Sequence, residues 1–217
     1  MPCETYWKNW IMNLVVKICG ITNPDDALRC AETGADALGF IFYEGSPRWI
    51  SPESAERIIG HLPPSVTPVG VFVNESRPTI ERMIRETGIR VIQLSGDETP
   101  DDCKGYSVKV WKAFRFRHGE NVERARDYAL DAALLDGFRS DKFGGTGTPA
   151  DQTAAIAMKN IHRVVLAGGL NPSNISDAVR TVSPFAVDIN SGIESEAGKK
   201  DPSKIAALFN ALKEFRT

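Results

Sequence analysis

Short apolar runs bounded by turn residues recur along the whole chain, at 14–18, 37–42, 68–73, 90–94, 108–114, 132–135, 164–166 and 185–189. They are nearly continuous rather than alternating, which is the pattern of parallel strands covered by helices. Between them stand helix-opening signals. Asn23-Pro24, Ser51-Pro52, Thr148-Pro149, Asn171-Pro172 and Asp201-Pro202 each set an N-cap residue before proline, and Ser76-Arg77-Pro78 is a near variant. A cap oxygen satisfies an orphan helix N–H, and proline at the first helical position gives up no bond. Apolar residues follow at helical spacing, for example Ala27, Leu28 and Ala31, then Ile80, Met83 and Ile84. Gly34, Gly60 and Gly88 stand where the first three helices should end.

Positions 78 to 149 leave room for two further units, whose helical parts at 98–104 and 121–129 are short or irregular. Eight strand–helix units predict an α/β fold, a single (β/α)8 TIM barrel with parallel strands over 14–217, preceded by a short N-terminal extension at 1–13. An open doubly wound sheet is the alternative, but the first strand runs into Lys17-Ile18-Cys19-Gly20-Ile21-Thr22 with no G-x-G-x-x-G loop.

Composition supports one well-filled domain. The 217 residues are 42% hydrophobic and 25% charged, close to globular averages. Net charge is -2, and no run of five like charges occurs. That argues against nucleic acid or a membrane surface as partner, since both call for a basic face. Arg115, Arg117 and His118 read as a solvated loop. No stretch of apolar residues is long enough to cross a bilayer, and the opening MPCETYWKNWIMN lacks the pattern of a secretory signal. Cysteines at 3, 19, 30 and 103 have neither C-x-x-C spacing nor a histidine at metal spacing, so reduced thiols in a cytoplasm are expected and no metal site is.

In such barrels the site lies at the C-terminal ends of the strands. Polar residues there are Cys19, Arg48, Asn74, Gln93, Asp136 and Asp188. Cys19 reads either as a small buried hydrophobe or as a thiol facing the pocket, with Lys17 on the same side of its strand. Asp136 is a helix cap or a site residue, and Arg48 is solvated or clamps a carboxylate. Gly168, Gly169, Ser191 and Gly192 follow strands seven and eight, where barrels of this kind bind phosphate through backbone N–H groups. If the barrel closes, strand eight lies beside strand one. A lysine inside it needs a partner, so Lys17 is expected to pair with Asp188 just below Cys19.

Taken together these segments resemble the phosphoribosylanthranilate isomerase family. The resemblance runs through VKICGIT at 16–22, GADALGFIFYEGSPR at 34–48, VGVFVN at 69–74, VIQLSGDE at 91–98, LLD at 134–136, GGTGT at 144–148, LAGGLNPSNI at 166–175 and VDINSGIES at 187–195. It implies an Amadori rearrangement of N-(5-phosphoribosyl)anthranilate in tryptophan biosynthesis, a small-molecule substrate, and no metal or redox cofactor. It places the catalytic cysteine and aspartate on Cys19 and Asp136 and the anthranilate-binding arginine on Arg48. Ser95 and Asn190 depart from the family's usual histidine and serine. The related isomerase of histidine biosynthesis uses two aspartates, whereas strand one ends here in Cys19. Indole-glycerol-phosphate synthase uses strand-end lysines that this chain lacks. A non-catalytic phosphosugar-binding barrel is the alternative of a different class.

Overall fold

The computed structural model describes residues 14–117, 119–137 and 151–216. Eight strands pair in parallel in sequence order: β1 (Val15–Ile18), β2 (Ala37–Ile41), β3 (Thr67–Phe72), β4 (Val91–Leu94), β5 (Lys109–Arg115), β6 (Ala132–Asp136), β7 (Val164–Leu166) and β8 (Ala186–Ile189). β8 pairs with β1, so the sheet is a closed barrel and not the open alternative. Among the described residues six α-helices cover it: α1 (Pro24–Thr33), α2 (Pro52–Ile59), α3 (Arg77–Thr87), α4 (Gln152–Met158), α5 (Ile175–Val182) and α6 (Pro202–Ala211). Turns follow β4, and a 3-10 turn at Val122–Asp127 follows β5, so the irregular fourth and fifth units are as expected.

The caps act locally and were readable one by one. Asn23, Ser51, Ser76 and Asp201 each accept a backbone N–H from the first turn of α1, α2, α3 and α6. Two starts differ from expectation. Thr148-Pro149 lies outside the described residues, as does the 1–13 extension, and α4 opens at Gln152 with Asp151 as its cap. At the other site Asn171 caps only a turn, its Oδ1 accepting the Ser173 N–H at 2.9 Å, and α5 itself begins at Ile175. A small hairpin, β9 (Glu194–Glu196) with β10 (Lys199–Lys200), was not anticipated; two strands of three and two residues carry no hydrophobic signal.

Strand parity divides the core in two. Val16 and Ile18 face the helices, in the large apolar layer that also holds Phe40, Leu94 and Val187. Val15 faces inward with Val69, Val91, Trp111 and Val165, small alanines on β2, β6 and β8 making room for the indole. Lys17 shares that inward parity and is wholly buried, and it stands in register with Asp188. Its Nζ donates to both carboxylate oxygens of Asp188 at 2.8 Å. The expected pair therefore forms. Gly39 on β2 makes space for it: a Cβ there would fall 3.0 Å from Lys17 Nζ and 2.7 Å from Cys19 Sγ.

Removing one partner of a buried ion pair leaves an uncompensated charge, which costs about 3–5 kcal/mol. Lys17→Met is expected to lose stability on that scale in urea unfolding at pH 7, and Lys17→Met/Asp188→Leu to recover part of the loss. A double variant no more stable than the single one would show that packing, not the pair, sets the cost.

Candidate active site

The C-terminal ends of the strands open into a cavity of about 500 Å³. Cys19, Arg48, Asp136, Gly168, Gly169, Asp188, Ser191 and Gly192, all read from the sequence as site residues, line it together with Gln93 and Asn190. Asn74 does not. Its backbone turns left-handed at φ 53°, its Oδ1 accepts the Asp97 N–H at 2.6 Å and its own N–H donates to Glu98 Oε1 at 2.9 Å. That residue ties the loop after β3 to the loop after β4.

Cys19 continues β1 by one residue, with its N–H donated to the Ile189 carbonyl at 2.8 Å. Burial pushes its thiol pKa up; the Lys17 ammonium pulls the other way and the Asp188 carboxylate adds to the rise. The competition between charges is therefore decided by desolvation, which keeps the thiol protonated at neutral pH. For Lys17, burial opposes the charged form, but Asp188, joined by the Cys19 sulfur once it ionises, outweighs it and holds the ammonium above its ordinary pKa.

Asp136 ends β6, three strands around the ring from β1. Its Oδ1 accepts the Gly137 N–H at 2.8 Å. Burial raises its pKa from 3.8 to about 6, partly offset by that N–H, with Asp188 adding to the rise and Arg115 and Lys17 opposing it. A carboxyl that holds its proton near neutrality can act as an acid. Arg115 corrects an expectation. It is not on a solvated loop: it ends β5 in register with Asp136, its side chain is 17% exposed, and it lines the cavity. Parity with Trp111 and Ala113 was the available signal. Arg117 is exposed, and His118 lies outside the described residues.

After β7 and β8 the backbone itself forms the wall. Gly168 and Gly169 are both left-handed, at φ 82° and 62°, and their N–H groups have no partner among the described residues. The side-chain amides of Asn171 and Asn174 hold the Gly169 carbonyl at 3.1 and 3.0 Å and fix the loop. At Gly192 a Cβ would lie 2.0 Å from the Leu170 carbonyl oxygen, so only glycine lets the two loops close on each other. Backbone N–H groups left open after the seventh and eighth strands of a barrel can receive an anion.

Arg48 meets a partner that the sequence reading missed. Its Nε donates to Glu194 Oε1 at 2.9 Å and its Nη2 to Oε2 at 2.7 Å. Glu194 also receives Lys200 Nζ at 2.9 Å. Burial would raise the Glu194 pKa, but Arg48 and Lys200 outweigh it and hold the carboxylate below its usual range. The glutamate was visible in VDINSGIES, but its partner stands 146 residues earlier.

A closed barrel with an acid, a thiol and open backbone donors around one mouth places the chain among the (β/α)8-barrel enzymes. The family model described as N-(5'phosphoribosyl)anthranilate (PRA) isomerase matches residues 16–211. The N-(5'-phosphoribosyl)anthranilate isomerase of Trichlorobacter lovleyi is 48% identical over 200 residues, which cover 92% of this chain and 98% of that one. The crystal structure of phosphoribosyl anthranilate isomerase from Thermus thermophilus superposes with a TM-score of 0.86 at 38% identity, covering 94% and 100% of the two chains. Another isomerase structure, in complex with reduced 1-(o-carboxyphenylamino)-1-deoxyribulose 5-phosphate, gives 0.81 at 40% identity over 93% and 99%. The chain belongs to the N-(5'-phosphoribosyl)anthranilate isomerase family.

Because the folded Asp136 carboxyl takes up its proton at about 6 rather than 3.8, its ionisation weighs against the folded state. The penalty is absent below about pH 4 and complete somewhat above pH 6. Asp136→Asn is therefore expected to match the parent at pH 4 and to exceed it at pH 7 by on the order of 1–3 kcal/mol in urea unfolding. A variant less stable at pH 7 would make Asp136 a structural loop residue.

Proposed function

We propose that this chain converts N-(5-phosphoribosyl)anthranilate to 1-(2-carboxyphenylamino)-1-deoxy-D-ribulose 5-phosphate, the isomerisation of tryptophan biosynthesis, with Asp136 as acid and Cys19 as base. The observation that carries this reading is a thiol and a carboxyl of raised pKa facing one cavity from β1 and β6, between a backbone cradle and an arginine. The cradle at Gly168, Gly169, Ser191 and Gly192 would receive the phosphate, and Arg48 the anthranilate carboxylate. Held at both ends, the sugar presents its ring oxygen to Asp136 and its second carbon to Cys19. Asp136 protonates the ring oxygen; the bond from that oxygen to the first carbon breaks, and the amine lone pair forms the Schiff base. Cys19 removes the proton from the second carbon, giving an enolamine that tautomerises to the ketone.

The reactive form thus needs Asp136 protonated and Cys19 ionised, while their pKa values favour the opposite arrangement. Only a fraction of the enzyme carries the protons correctly. Lys17 keeps that fraction useful, because it opposes the rise in the thiol pKa. A reactive thiol of this kind belongs in a reducing compartment, and the cytoplasm is the expected location.

The decisive experiment follows the loss of fluorescence of freshly generated phosphoribosylanthranilate. Turnover is expected for the parent, and a loss of at least about 10²-fold for both Cys19→Ala and Asp136→Asn. A folded parent that binds the compound without consuming it would leave a non-catalytic sugar-phosphate barrel. The kcat/KM profile should be a bell, with its acid limb near pH 6 and its alkaline limb above the ordinary thiol range. An acid limb at pH 4 would remove Asp136 from the profile. Arg48→Ala should raise KM far more than it lowers kcat, because the carboxylate it holds is remote from the reacting carbon; an unchanged KM would show that Arg48 does not touch the substrate.

A further inference from the structure

We propose that Glu194 is a positioning residue that makes Arg48 a one-sided receptor for the substrate's carboxylate, with Lys200 holding Glu194 in place; this deepens the role given above to Arg48 and rests on it. The guanidinium has two edges. Glu194 occupies one, through Nε and Nη2, and Nη1 has no partner among the described residues although Arg48 lines the cavity. A guanidinium pinned along its Nε edge keeps its Nη1–Nη2 edge free, and that second edge matches a carboxylate by two parallel bonds. Arg48 sits on the loop after β2, where an unheld arginine would sample many rotamers and lose that freedom on each binding event. Pinning removes that cost before the substrate arrives.

The anchor is built for rigidity. Glu194 opens β9 and Lys200 closes β10, so the hairpin carries both ends of the contact. Lys200 Nζ is buried and divides itself between Glu194 Oε1 at 2.9 Å and Asn190 Oδ1 at 3.1 Å. The Lys200 N–H donates to Asp26 Oδ2 at 2.8 Å, which fastens the hairpin to α1. Two cations, Arg48 and Lys200, share the Glu194 carboxylate, so it is held from both sides.

The test is a double-mutant cycle between Arg48→Ala and Glu194→Gln, read with two substrates, phosphoribosylanthranilate and the phosphoribosyl derivative of aniline, which lacks the carboxylate. Glu194→Gln is expected to raise KM for the anthranilate compound about ten-fold, leave kcat within about two-fold, and leave the aniline compound's KM unchanged. In the Arg48→Ala background it should add nothing to either. Equal effects on both substrates, an unchanged KM, or a full additional effect in the Arg48→Ala background would each overturn the proposal. If Arg48→Ala alone leaves the preference for the carboxylated compound intact, the reading of Arg48 itself fails; if Arg48→Ala abolishes the preference and Glu194→Gln does not, only the role of Glu194 fails. Should Glu194→Gln not fold, Glu194→Asp retains the charge one methylene back, and a smaller rise confined to the anthranilate compound supports the same conclusion, while a rise shared by both compounds overturns it.

Discussion

The barrel depends on a charge buried inside it. Lys17 projects into an interior lined by valine, alanine, leucine and tryptophan, and an unpaired ammonium there would forfeit its hydration without return. Asp188 meets it across the seam where the last strand closes on the first. A slip of one residue in that seam would turn Asp188 toward the helices and strand the lysine. The pair therefore specifies how the barrel closes as well as lying within it. Cys19 stands two residues beyond Lys17 on the same strand and inherits its position from that registration.

The same seam explains the electrostatics of the mouth. An ammonium beneath a thiol would by itself favour the thiolate, but Asp188 opposes it and the dryness of the site outweighs both. Desolvation raises the thiol and Asp136 together. A shared dry environment, more than any single charged neighbour, sets the proton affinities of both groups.

Much of the architecture was legible because its determinants are local. Caps before proline, apolar strand runs and glycines at helix ends each act within a few residues, so eight strands and most helix starts could be read directly. Site residues at strand ends followed from the barrel's polarity, and Lys17–Asp188 followed from closure plus the intolerance of an interior for lone charge. What escaped depends on distant parts of the chain. Arg115 was assigned to solvent because it neighbours Arg117, although strand parity turns it inward beside Asp136. Asn74 sat at a strand end like the residues that line the cavity, yet a left-handed backbone turns its side chain to a neighbouring loop. Glu194 carried no visible role, because nothing in its own segment points to a guanidinium on the loop after β2.

The anchor at β9–β10 also divides the ring of loops by task. The glycine cradle follows β7 and β8, the thiol ends β1, and the guanidinium after β2 is tied back to the segment following β8. One continuous arc thus holds the glycine loops, Cys19 and Arg48, braced against itself by the buried ends of the hairpin, Glu194 and Lys200. The loops after β3 and β4 carry no part of it. They are joined to each other through Asn74 and Glu98 and reach the cavity at Val73 and Ser95. Changes in these joined loops would therefore reach the cavity through Val73, Ser95 and the Asp97–Arg115 ion pair while leaving the Arg48–Glu194–Lys200 brace in place.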